Sequence, residues 1–140
     1  MNTLDTLVET AFQLEQQGEK EEALITLSKA FDLLIDEAGA YARSLETSTD
    51  LEVLRTRAPQ LLENSNKFLR QDLKASMLLN NMGLLFMELD QFDAAKQKFE
   101  ESISLTPPEE NYNDPQTNLQ ALMEKIAALQ SVEEENSLEE

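Results

Sequence analysis

Between Leu78 and Pro107 the chain reads LLNNMGLLFMELDQFDAAKQKFEESISLTP, two amphipathic helical segments joined at LDQFD, with Gly83 inside the first and Ala94–Ala95 opening the second. A glycine in a helix interior costs about 1 kcal/mol relative to alanine. Close contact with a neighbouring helix offsets that loss, because the missing side chain makes room. Small residues near the corner then let Phe99, one turn beyond the alanines, fill the wedge. Pro107 and Pro108 end the second segment, since proline lacks the amide hydrogen of the ladder and restricts the residue before it. The pattern predicts a closely packed pair of antiparallel helices.

The same helical period runs through the rest of the chain. Leu4, Leu7, Val8, Ala11, Phe12 and Leu14 line one side of a first helix. Gly18, in QQGEKEE, can take the left-handed conformation that ends it. Ala23, Leu24, Leu27, Ala30, Phe31, Leu34 and Ile35 then resume the period in a second helix. Glu22, Thr26, Ser28 and Lys29 fall between those positions and face solvent. No segment alternates as a strand does, so the fold class is all-α. At 140 residues one core serves the whole chain. In NYNDPQTNLQALMEKIAALQ, Asp114 reads as an N-cap and Pro115 as the first helical residue. Leu119, Leu122, Met123, Ile126 and Leu129 form its apolar stripe, and Gln120, Glu124 and Lys125 its polar face. This helix, 114–130, suits a cap on the array. The segment 131–140, SVEEENSLEE, has five glutamates and no basic residue. It is expected to be a disordered acidic tail.

Charge narrows the function. The chain has 28 acidic and 11 basic residues, no histidine and a formal charge of −17. Such a surface repels a phosphate backbone, so no nucleic-acid partner is expected. Anionic membranes are disfavoured by the same sign, and no apolar run approaches the ~20 residues of a spanning helix. The N-terminus lacks the basic and apolar regions of a secretory signal. Absence of cysteine fits a cytoplasmic location and removes thiolate chemistry. Without histidine the usual triads and imidazole metal sites are lost, and three glycines are too scattered to cradle a phosphate. No enzymatic activity, metal or cofactor is expected. The acidic pairs Asp90 with Asp93 and Glu109 with Glu110 read as solvated turn residues, not as acid–base or calcium sites.

The segment 76–109 resembles a tetratricopeptide repeat, a 34-residue helix-turn-helix unit. Met82–Gly83 match the leucine-glycine pair of that family. Phe86, Phe92, Ala95, Phe99 and Pro107 match its aromatic, turn, alanine, phenylalanine and proline signals. Leu79 stands where the family usually has tryptophan, and Ser102 where it has a second alanine. The template laid on 4–37 meets Leu7, Ala11, Leu14, Gly18, Ala23, Leu27 and Ala30, a degenerate first repeat. Ala23 and Ala95 are 72 residues apart, slightly more than two repeat lengths, so 38–75 is expected to hold an irregular middle unit. Pro59 there either starts or kinks a helix.

The resemblance implies helical hairpins stacked as a short right-handed solenoid over residues 1–130. It also implies a concave groove, lined by the first helix of each repeat, that holds a peptide or partner helix. The family's groove offsets fall on Asp5, Val8, Phe12 and Glu15 in the first repeat, and on Met77, Asn80, Leu84, Met87 and Glu88 in the third. Adaptable methionine thioethers suit an apolar or amphipathic protein segment. The surrounding negative charge favours a neutral or basic one. The basic residues with which some members clamp a partner's carboxylate are missing beside Asn80. The expected function is an adaptor or assembly factor. The alternative is a small acidic chaperone of type III secretion, which the chain resembles in size and acidity. A homodimer covering the groove is compatible with either.

Overall fold

The computed structural model describes residues 3–139. Among them it contains seven helices and no strand: α1 (Thr3–Gln16), α2 (Lys20–Ser44), α3 (Leu51–Thr56), α4 (Ala58–Leu69), α5 (Lys74–Glu88), α6 (Phe92–Ser104) and α7 (Asp114–Glu139). The chain is all-helical, and two hairpins, α1–α2 and α5–α6, organise it.

The two hairpins turn in the same way. Gly18 closes α1 with φ of 80°; its amide donates to the Glu15 carbonyl at 3.0 Å, and that of Glu19 to Leu14 at 2.9 Å. Asp90 closes α5 with φ of 61°; its amide donates to Met87 at 3.1 Å, and that of Gln91 to Phe86 at 2.9 Å. A left-handed residue lets the chain reverse while satisfying the last carbonyls of the helix. Aspartate is one of the few residues besides glycine that takes this conformation readily. Every group in this turn has its counterpart 72 positions on.

The correspondence extends into the packing. Ala23 and Ala95 are both fully buried beside their turns. Gly83 corresponds to Ala11 and Phe99 to Leu27. A Cβ placed on Gly83 would lie 2.5 Å from Cε1 of Phe99, so the ring occupies the space the glycine vacates. At the open end of the hairpins, Leu4, Ala30 and Leu34 of the first are replaced by Ser76, Ser102 and Thr106 of the second. The hydroxyls form a closed network. Ser76 Oγ donates to the Ser102 carbonyl at 2.9 Å, Ser102 Oγ to the Ser76 carbonyl at 2.6 Å, and Thr106 Oγ1 to the Ser102 carbonyl at 2.8 Å. Ser76 and Ser102 are fully buried, where an unmatched hydroxyl would be costly.

The main core lies where α5 packs on the first hairpin, and joins Leu4, Ala11, Leu27, Leu34, Leu79, Met82 and Leu85. A second cluster joins Ala95, Phe99 and Leu122, with Leu84, Phe86, Met87, Phe92, Leu119 and Ile126 packed around them. It fixes α7 to the second hairpin.

Three expectations change. Residues 38–44 are not part of a separate middle unit but continue α2, whose Ala38 and Ala42 are buried. The rest of that segment adds only short α3 and one packed helix, α4, which Pro59 helps to start. A Ser65 Oγ hydrogen bond to the Ala38 carbonyl at 3.4 Å and a Tyr41–Phe68 ring contact at 5.3 Å hold α4 to the extension of α2. Second, α7 begins at Asp114, one residue earlier than the cap reading, because the Asn113 carbonyl accepts from Thr117 at 3.0 Å. Third, residues 131–139 are helical, as a continuation of α7, and Glu140 lies outside the described residues. A helix already nucleated extends through residues such as glutamate at small cost; residues 131–135 are all exposed.

Candidate functional site

The first helices of the two hairpins, α1 and α5, leave a crevice of about 190 Å³ between them, lined by Leu4, Asp5 and Val8 on one side and Lys74, Met77, Leu78 and Asn81 on the other. Its floor is apolar, from buried Leu4 and Leu78. Val8 and Met77 are 36% and 46% exposed, and Phe12, one turn beyond Val8, is 58% exposed. A single helix face therefore presents Val8 and Phe12 to solvent without packing either away. Three larger depressions, of about 410, 520 and 280 Å³, lie along the outer face of α6, at the α5–α6 turn and at the α1–α2 turn. All are shallower than the crevice, and acidic side chains line each of them.

Asp5 and Lys74 are the charged groups in the crevice lining. Toward the C-terminal ends of α1 and α5, Glu15 lies near Glu88, which pairs loosely with Lys20 at 3.8 Å. Partial burial, and then the Glu88 charge, push the Glu15 carboxyl above its usual range. An incoming cation there would relieve two carboxylates.

The sequence-derived groove residues separate into two groups. Val8 and Met77 line the crevice, Phe12 stands exposed one turn beyond Val8, and Glu88 is exposed at the C-terminal end of α5, outside the crevice lining. Asn80, Leu84 and Met87 are instead turned toward α7. Asn80 is only 4% exposed, and its Oδ1 accepts from Asn118 Nδ2 at 2.9 Å. Tyr112 lies beside the Asn80 side chain. Burial, followed by the nearby Asp114 charge, raises the Tyr112 hydroxyl above its usual range, with Asn80 opposing the rise. Leu84 and Met87 pack into the α6–α7 cluster. These three residues hold the helices together and leave no side chain free for a partner. Lys74 and Asn81, which the family offsets pass over, line the crevice in their place. Their spacing from Met77, three residues before and four after, puts all three on one face of α5 and is the signal that finds them.

Among the described residues no three acidic groups gather closely enough to hold a metal ion, and no helix is long and apolar enough to cross a membrane. The class these observations define is an all-α protein of two like hairpins with an open crevice between their first helices. Comparison with family models, curated proteins and solved structures finds no match.

Proposed function

We propose that the chain is an interaction module of the tetratricopeptide type, closed at one end by α7, whose α1–α5 crevice receives an apolar or amphipathic segment of a protein partner. The observation that carries this reading is a contrast within one molecule. The seam between α5 and α7 is filled by Asn80, Asn118 and Tyr112, whereas the equivalent seam between α1 and α5 stays open over an apolar floor. The recurrence of turn and packing positions at 72 residues supports the repeat reading. The net charge of −17 favours a neutral or basic segment and steers its arrival. The role is docking, as an adaptor or assembly factor.

The test is affinity capture from the native cell extract with wild type and Val8→Glu side by side, after circular dichroism has shown both folded. Selective loss of one partner from the variant supports the crevice, and the nature of that partner separates an adaptor from a secretion chaperone. Equal recovery moves binding to another surface.

A further inference from the structure

We infer that this chain associates with itself head to tail, the crevice face of α1 on one copy receiving the α3–α4 lobe of the next. The inference rests on the crevice reading above and names its occupant.

Charge is segregated along the chain. Residues 43–73 hold five of the 11 basic residues, Arg43, Arg55, Arg57, Lys67 and Arg70, against five of the 28 acidic ones. That segment is neutral in a chain whose remainder carries the whole charge of −17. Arg57 is held by Glu46 at 2.9 Å and Arg70 by Glu63 at 3.2 Å. Among the described residues, Arg43, Arg55 and Lys67 form no such ion pair.

The same lobe exposes four large apolar side chains. Leu51 is 66% exposed, Leu62 64%, Leu45 49% and Val53 44%. Helix α3 buries no residue at all, and its main neighbour is α4. Its shape is fixed nonetheless, by the Asp50 side chain accepting from the Glu52 amide at 2.8 Å and by the Arg57–Glu46 pair. A preformed apolar surface bearing free cations is the chemistry that the crevice face selects. On that face, α1 carries Asp5, Glu9 and Glu15 with no basic residue, around exposed Val8 and Phe12. The two surfaces belong to different parts of one molecule, so the contact is heterologous and adds copies in series.

Each copy carries −17 overall, which repels the next at long range. Near physiological ionic strength the Debye length falls to about 8 Å, which screens whole-molecule repulsion more than charges in contact. Association should therefore be stronger at about 150 mM salt than at about 10 mM.

The experiment is sedimentation velocity of the full chain over a concentration series, with Phe12→Glu and Leu62→Glu alone and mixed. Both substitutions fall on exposed side chains, and Val53→Glu replaces the second if it does not fold. Wild type should show species growing with concentration, and each variant alone should stay monomeric. Their equimolar mixture should form a dimer and nothing larger, since each variant retains the surface the other lacks. A monomeric wild type, association that survives both substitutions, or a mixture that stays monomeric overturns the inference. A monomeric wild type that still loses an extract partner on Val8→Glu rejects self-association and leaves the crevice reading standing.

Discussion

Gly83 and Phe99 form one steric unit, and Ala11 with Leu27 form its counterpart in the other hairpin, where a slightly larger helix residue goes with a smaller side chain. The pairing makes a quantitative expectation. Gly83→Ala sets a methyl group inside the Phe99 ring and should destabilise the protein by about 1–3 kcal/mol, less whatever alanine gains in helix propensity. Phe99→Leu alone should cost a similar amount through the cavity it leaves. The double variant restores the combination found in the first hairpin, so its urea midpoint should lie above that of either single variant. Simple additivity of the two losses would contradict the coupling. The hydroxyl network gives a second expectation at this scale. Ser76→Ala removes partners of Ser102 and Thr106 and should lower stability by about 1–3 kcal/mol, whereas replacing Ser76, Ser102 and Thr106 together by leucine, alanine and leucine should recover most of it; chemical denaturation checks both. The role of Gly83 was legible in the sequence, because a glycine among helix formers needs a reason and Phe99 stands at the right distance to supply one. The position of Asn80 was not. Repeat offsets give a residue's turn of the helix, but the choice between Asn80 and Asn81 depends on how far α7 wraps over α5, which is a tertiary fact.

Five of the seven helices announce themselves by period, caps or breakers; α4 is signalled only by Pro59, which the sequence leaves open as a start or a kink, and α3, six residues without a buried side chain, leaves almost no apolar signal. The sequence reading stopped the second helix near Glu37 because a repeat of family length ends there. No breaker stands at that point, and Ala38 and Ala42 prolong the buried stripe to Ser44. Pattern read directly from the residues serves better there than a template length. The reverse holds at the C-terminus. Acidic composition argued for a coil beyond Gln130, but a helix anchored by Leu122 needs no further burial to run on. Because residues 131–135 are exposed and the last turn of α7 carries no basic residue to favour its dipole, this extension adds little to the fold. Deleting residues 131–140 should leave the thermal midpoint within about 1 °C of wild type, read by calorimetry. A larger fall would mean that the segment packs on the body.

Across the whole molecule, two carboxylates respond to pH in opposite senses. The Glu15 carboxyl is raised, by burial first and Glu88 second. Its ionisation therefore opposes folding above its folded-state pKa, and the penalty fades as pH falls toward the unfolded-state value. Glu15→Gln should raise the thermal midpoint at neutral pH, with the gain disappearing in acid. Glu46 is lowered, first by the Arg57 hydrogen bond. Its stabilisation is present above the unfolded-state pKa and is lost as pH falls through the folded-state one. Glu46→Gln should lower the midpoint at neutral pH and cost nothing in acid. Melting curves across the carboxylate range test both signs, and a shared sign would contradict the assignment.

Two hairpins that share a turn at a 72-residue offset also pose a sorting problem to the chain as it folds. Local contacts favour the closing of each turn on itself. Before a turn closes, either first helix can meet either second helix, and a swap preserves the buried alanines Ala23 and Ala95 on which both hairpins depend. The discriminating positions lie at the opposite end. Pairing α1 with α6 puts the Leu4 side chain where the Ser76 hydroxyl stands among Ser102 and Thr106, and sets the methyl group of Ala11 against the Phe99 ring. The serine network and the glycine thus distinguish the right partner helix from the wrong one before either turn closes.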